Sequence, residues 1–224
     1  MKKKLLSLVC AAAMMLSLAA CGSANSDTPA SPEASDPAAA SYTVGIVQLV
    51  PHVALDAATQ GFKDALEAAL PGQVKFEEGV GAGDSATCTP IVTNFVASNV
   101  DLIMANATPA LQAAAAATAD IPILGTSVTE YGVALDIKDF KGTVGGNVSG
   151  TSDLAPLEEQ AAMLQEWFPD AQNVGLLYCS AEPNSKYQAT VIRAELIKLG
   201  YTDENIKDFT FADSNDVASV SQAA

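Results

Sequence analysis

From residue 42 onward, short β-branched apolar runs alternate with longer stretches whose apolar residues recur at three- and four-residue spacing, and no other feature restricts the fold as much. Thr43 to Leu49 (TVGIVQL) reads as a strand bounded by Pro51. Leu55, Ala58, Phe62, Leu66 and Ala69 then share a helical face, and Pro71-Gly72 stops that helix. Val74 to Val80 reads as a second strand. Gly81-Ala82-Gly83-Asp84 turns the chain into a helix from Ser85 to Ala97, with Asp84 as its cap. Asp101 to Ala105 (DLIMA) is apolar nearly throughout, as a strand covered on both faces requires. Thr108-Pro109 opens a helix to Ala119, and Ile121 to Gly125 is a fourth strand. Strand followed by helix, three times over, calls for a parallel sheet with right-handed crossovers, an α/β layered domain.

Between 130 and 153 the pattern loosens, and Gly142, Gly145, Gly146 and Gly150 mark a crossover with backbone freedom. The alternation then restarts. Pro156 to Phe168 reads as a helix, Val174 to Tyr178 (VGLLY) as a strand, Asn184 to Leu199 as a helix, Ile206 to Phe211 as a strand and Asp213 to Ala224 as a last helix. Two parallel strands with three helices do not close a core of their own. Either the chain is a fragment or the remaining strands come from another polypeptide, and a fragment is the expectation.

The N-terminus is of another kind. Lys2-Lys3-Lys4 is a basic region, Leu5 to Leu16 is apolar, and Leu18-Ala19-Ala20-Cys21 ends it with small residues, which makes 1–20 a signal segment. Leu-Ala-Ala-Cys resembles the bacterial lipobox, in which the thiol, here Cys21, takes a diacylglyceryl group. Two acyl chains hold a protein durably at a membrane surface. The segment 22–41 is Ser, Ala, Pro and Asp without large apolar residues, a composition for a flexible tether. From position 21 onward eight Lys and Arg stand against 26 acids, a formal charge of −18, which excludes a phosphate-backbone partner. Cys88 and Cys179 fall in different halves of the pattern and are expected to remain thiols. There is no CxxC, and a single His52 makes no zinc cluster, so neither metal nor cofactor is expected.

Ligands of open α/β sheets sit outside the carboxyl ends of the strands, near helix N-termini. Those positions are Val50 to His52 after the first strand, Asn106 to Thr108 after the third, Thr126 to Val128 after the fourth, and Glu182 to Ser185 in the second run, with Val50, His52, Ala107, Thr108, Thr126, Ser127, Asn184 and Ser185 as the candidate contacts. Thr108 before Pro109 fits an N-cap with Pro in the first helical position, and either capping or ligand contact accounts for its hydroxyl. His52 is a hydrogen-bond donor at the cleft or a plain loop residue. Gly150, Thr151, Ser152 and Asp153 follow the crossover as hinge or cleft wall. Gly79-x-Gly81-x-Gly83 lacks the dinucleotide spacing, and GxSxG, HExxH and GxxxxGK[ST] are missing.

The order of motifs GIVQLVPHVALDAATQGFKDAL, GDSAT, DLIMANATPALQAAAAAT, GGNVSGTSDLAPLEEQ and LLYCSAEPNS resembles the substrate-binding lipoproteins of ABC transporters, in the branch similar to receptors for tryptophan and related amino acids. The resemblance spans 42–224. It implies two Rossmann-like lobes of the type I periplasmic-binding fold, the second incomplete: a first lobe over 42–148, a hinge at 149–153 and part of a second lobe over 154–224. It also implies a non-catalytic, monomeric receptor that holds an amino acid, aromatic by resemblance alone, between its lobes outside the cytoplasm. Its partners would be a permease and its ATPase, and its contact with the membrane a lipid anchor. A ligand-sensing surface lipoprotein and a surface α/β enzyme are the rival readings.

Overall fold

The computed structural model describes residues 41–83, 85–212 and 215–223, and the signal segment, Cys21, nearly all of the tether and Asp84 lie outside them. Five strands form one parallel sheet: β1 (Tyr42–Gln48), β2 (Val74–Val80), β3 (Leu102–Asn106), β4 (Ile123–Val128) and β5 (Val148–Ser152), in the order β2-β1-β3-β4-β5. The helices between them are α1 (Val53–Ala69), α2 (Ser85–Ala97), α3 (Thr108–Ala117) and the single turn α4 (Tyr131–Ala134).

Both faces of this sheet are covered, which is why its central strands are apolar throughout. On one face Val47, Ile103, Ala105 and Ile123 pack against Cys88, Val92 and Phe95 of α2 and Ala110, Leu111 and Ala114 of α3. The Ala113 to Ala117 run lets α3 lie close to the strands. On the other face Val44, Ile46 and Met104 meet Phe62 and Leu66 of α1. Ile46, Ile103, Met104 and Ile123 are at most 1% exposed, and each contributes about 1.5–3 kcal/mol by leaving water.

Beyond β5 the chain forms α5 (Leu157–Trp167), β6 (Val174–Cys179), α6 (Pro183–Lys198), a 3-10 turn (Asp203–Asn205), β7 (Ile206–Phe211) and α7 (Val217–Ala223). β6 and β7 pair in parallel as a second sheet. One side of it packs on α5 and α6 through Ala161, Leu196 and Ile206. Arg193 of α6 clamps the end of this unit, donating to Asp203 Oδ1 at 2.7 Å, Asp208 Oδ1 at 2.8 Å and Ile206 O at 3.0 Å.

The stretch assigned to a loose crossover is partly a strand. Gly150, Thr151 and Ser152 belong to β5, which pairs with β4 and closes the edge of the first sheet, so that sheet runs past residue 148. Asp153 N–H donates to Val128 O at 3.0 Å, and Ser152 Oγ donates to Thr129 O at 2.7 Å. Backbone pairing, not burial, holds these residues.

Candidate ligand-binding site

A buried polar network sits at the carboxyl ends of β1 and β3. Gln48, Thr59 and Asn106 are each at most 9% exposed. Thr59 Oγ1 donates to Gln48 Oε1 at 2.7 Å, and Asn106 Nδ2 donates to Thr59 Oγ1 at 2.9 Å and Leu55 O at 2.8 Å. Gln48 Nε2 reaches Val50 O at 2.9 Å and Asp56 Oδ1 at 2.7 Å. The turn that carries Val50 and His52 is thereby tied to the central strands. His52 is the N-cap of α1, with Nδ1 accepting from Ala54 N–H at 3.2 Å, and its side chain is exposed.

The start of α3 differs from the sequence expectation. Ala107, not Thr108, is the N-cap; Thr108 is the first helical residue, and no side chain caps the helix. The reason lies in the backbone: Ala107 has φ 92 and ψ 156, a conformation that L residues rarely adopt and that turns the chain one residue early. Ala107 N–H is bound to Thr126 O at 3.0 Å, which holds the turn against β4. Thr108 is 2% exposed, and its hydroxyl has no partner among the described residues. A buried hydroxyl without a partner costs about 1–3 kcal/mol, so a polar group is wanted there. Thr126 and Ser127 extend β4 at the same rim, half-buried, with Ser127 at φ 53.

In the second unit the helix also starts earlier than expected. Glu182 is the N-cap of α6 and Pro183 follows it, so Asn184 and Ser185 lie inside the first turn. Proline without an N–H suits that first position, and Glu supplies the extended cap. Both predicted residues donate to one carboxylate oxygen, Asn184 Nδ2 to Glu182 Oε2 at 3.2 Å and Ser185 Oγ to the same atom at 3.3 Å. Glu182 opens the stretch 182–185 that the sequence places at the rim, where only Asn184 and Ser185 are singled out as contacts, and its place after the strand is the equivalent of His52.

Two cavities adjoin these positions. The larger, about 610 Å³, is lined by five consecutive residues of β6, Gly175 to Cys179. These residues reach it from the edge of β6 that has no partner strand among the described residues, and Gln188 and Ile192 on one face of α6 together with Leu49 and Gly83 of the first unit line it as well. Val50 and Ser185 reach it. The smaller, about 250 Å³, lies where the two sheets approach: Gly83 and Ser85 at the start of α2 and Pro109 and Gln112 at the start of α3 face Ala181 and Glu182 before α6. The uncapped start of α3 therefore stands in one wall and a carboxylate on the other, a setting that favours an anionic group at α3. Of the residues selected from the sequence, only Val50 and Ser185 line either cavity; His52, Ala107, Thr108, Thr126, Ser127, Asn184 and the whole stretch from Gly150 to Asp153 line neither.

Tyr131 ties β4 to β5 on the side of the crossover. Its ring covers the paired glycines Gly125 and Gly150, and its hydroxyl donates to Thr151 O at 3.3 Å. Burial, with the charge of Asp153 added, pushes its phenol up to about 12. Cys88 lies in the first-sheet core and Cys179 at the end of β6, both as thiols. Among the described residues no cluster of His, Cys, Asp and Glu could hold a metal, and no helix is long and apolar enough to cross a membrane.

Residues 43–224 match the family model described as ABC transporter substrate binding protein. The chain belongs to this family. Its members bind substrates and are not enzymes. A tyrosine-binding protein of Clostridioides difficile (strain R20291) is 37% identical over 190 residues, 83% of this chain and 55% of that protein. A Streptococcus pneumoniae ABC domain in complex with L-Trp is 32% identical with a TM-score of 0.74, covering 82% of this chain and 62% of that one. The ligand-free, open structure of a Clostridium difficile substrate-binding protein with adhesive properties is 34% identical but gives a TM-score of 0.57, covering 81% and 61%. The chain thus spans a little over half to three fifths of the length of these relatives. The fold is the α/β, parallel-sheet fold of periplasmic-binding proteins.

Proposed function

We propose that this chain is the solute-capturing part of a lipid-anchored receptor for an ABC import system, and that its solute is an amino acid with an aromatic side chain. The observation that carries the reading is the 250 Å³ cavity, where the uncapped start of α3 faces Glu182 across the space between the two sheets. An amino-acid carboxylate would lie at the start of α3, near the Ala107-Thr108 turn, whose N–H groups and buried hydroxyl lack side-chain partners. Val50 and Ser185 flank the neighbouring space, Thr126 and Ser127 complete the rim, and Asn184 holds Glu182.

The larger cavity is the poorer candidate despite its size. Part of its wall is the edge of a strand, whose N–H and C=O groups are suited to another strand more than to a solute. In this reading the first lobe carries β1 to β5, the segment 149–153 leads into the hinge, and 154–224 belongs to a second lobe. Cys21 carries the anchor, the receptor is a monomer outside the cytoplasm, and the permease with its ATPase is the acceptor. The names of the tyrosine-binding and L-Trp-bound relatives support the ligand class.

The test is a thermal-shift and calorimetric screen of the purified chain against the common amino acids, purines and sugars. L-tyrosine or L-tryptophan should raise Tm in proportion to occupancy, without chemical change to the ligand. Stabilisation by sugars or purines only, no stabilisation by any solute, or turnover of a bound amino acid would overturn the reading.

A further inference from the structure

We infer that Glu182 recognises the ammonium group of the ligand and is the residue that makes the site select a zwitterion over a plain carboxylic acid. The inference rests on the amino-acid reading above and deepens it.

The first observation is what Glu182 does not do. An acidic or hydroxyl side chain at an N-cap ordinarily accepts from an N–H of the first helical turn. Glu130 does this at the start of α4, accepting from Val133 N–H at 2.5 Å, and His52 does it at the start of α1. Glu182 occupies the N-cap of α6 but makes no such bond. Its Oε2 is taken by Asn184 Nδ2 and Ser185 Oγ, both neutral donors from the turn that follows. Two neutral side-chain donors hold a carboxylate in one direction without adding a counter-charge.

The second observation is where that direction leads. Glu182 lines both cavities, and in the smaller one it faces the starts of α2 and α3. Helix N-termini accept any carboxylate, because they read only negative charge. With that wall alone the site would take an α-keto acid or an arylpropionate as readily as an amino acid. A fixed anion on the opposite wall changes the selection: it repels a ligand that carries only negative charge and attracts one with a cation a few ångströms from its carboxylate. The third observation is that Asn184, which supports Glu182, has its Oδ1 buried without a partner among the described residues.

The experiment is an NMR titration of the full chain, which reads affinities into the millimolar range, with L-tyrosine, 3-(4-hydroxyphenyl)propionate, which lacks the amino group, and tyramine, which lacks the carboxylate. Wild-type protein should hold L-tyrosine about 30-fold more tightly than 3-(4-hydroxyphenyl)propionate. Glu182→Gln should remove most of that difference, weakening L-tyrosine and tyramine while leaving the propionate unchanged or tighter. Glu182→Asp should keep part of the preference, since charge is retained at shorter reach. The comparison of ligands on wild-type protein needs no variant, so a variant that fails to fold does not spare the proposal. Equal affinity of wild-type protein for tyrosine and the propionate, or equal weakening of both by Glu182→Gln, overturns the role of Glu182 and leaves the amino-acid reading standing. Failure of wild-type protein to bind any amino acid overturns that reading and this inference with it.

Discussion

Gly125→Ala should be costly for a reason that a second substitution removes. A Cβ at position 125 would lie 2.3 Å from Tyr131 Oη and 3.1 and 3.2 Å from the ring carbons Cζ and Cε1. The first distance is impossible, so the hydroxyl must move by about an ångström and give up its bond to Thr151 O. Overpacking at about 1–3 kcal/mol and the lost hydrogen bond at about 0.5–1.5 kcal/mol together give about 2–4 kcal/mol of destabilisation. Tyr131→Phe alone forfeits only the 3.3 Å bond, about 0.5–1 kcal/mol. In that background the 2.3 Å contact no longer exists, and the ring carbons need to yield only a few tenths of an ångström. Gly125→Ala should then cost about 1 kcal/mol, a coupling of about 1–3 kcal/mol between the two positions. Gly150→Ala is the control. Its Cβ would meet Gly125 O at 2.2 Å and Gly125 N at 2.8 Å as well as Tyr131 Oη at 2.1 Å, so removing the hydroxyl cannot rescue it. Urea denaturation followed by far-UV circular dichroism is the assay, since Trp167 is 66% exposed and reports poorly on this region. The same cost for Gly125→Ala with Tyr131 and with Phe at that position, or rescue of Gly150→Ala, would refute the reasoning.

Four further outcomes are expected. Asn106→Leu, which keeps the branched shape but is larger and leaves Leu55 O and Thr59 Oγ1 without their donor, should cost about 2–4 kcal/mol in urea denaturation, and a loss below 0.5 kcal/mol would contradict the network. Ala107→Gly should raise stability by about 1 kcal/mol, because glycine adopts φ 92 without strain, and an unchanged or lower Tm would show that the turn is not strained. Tyr131 is neutral in the folded protein up to about 12 against 10.0 in a model chain, so its contribution to stability is full below pH 10 and is lost as pH rises from 10 to 12. The difference in unfolding free energy between wild-type protein and Tyr131→Phe should shrink over that window, and a difference constant with pH would remove the cause given for the shift. Cys21→Ala in the bacterial host should move the protein from the membrane fraction to the soluble extracytoplasmic fraction, and retention in the membrane would exclude the thiol as the anchor.

What the sequence made legible follows the burial of each element. β2 and β7 were placed to the residue, because turn residues bound β2 and alternation or apolar runs mark both. β4 was placed two residues early at its start and three at its end. Ile121 is the same kind of residue as Ile123, but pairing begins only at Ile123, beyond Pro122, whose carbonyl accepts from Ile103 N–H. β5 was missed as a strand, and its sequence, VSGTS, explains the omission. Four of its five residues are exposed, so no apolar alternation is required of them; the strand exists because β4 offers an edge. The carboxyl-end rim of the sheet could be placed because helix starts after strands can be counted from pattern. Its details could not, because the backbone decided them: nothing about an alanine announces φ 92, and that angle moved the start of α3 and with it the role of Thr108.

The two sheets repeat one unit, and the repeat locates the chemistry better than the motifs do. In the first, β1, α1 and β2 pair Tyr42 with Val74; in the second, β6, α6 and β7 pair Val174 with Ile206, and both registers are 32 positions apart. His52 and Glu182 occupy the same place in this unit, at the cap of the helix that follows its first strand. His52 closes its own helix and stays exposed, and the polar interior of its unit is spent on the Gln48, Thr59 and Asn106 network, which braces the turn. Glu182 leaves its helix uncapped and turns to Asn184 and Ser185 instead. Equivalent positions in a repeated fold thus divide the work: the first unit supplies a rigid wall with an uncapped helix start at α3, and the second supplies a fixed charge opposite it. A lone histidine draws attention in a sequence, but in this fold the carboxylate that resembles an ordinary helix cap is the group presented to the space between the sheets.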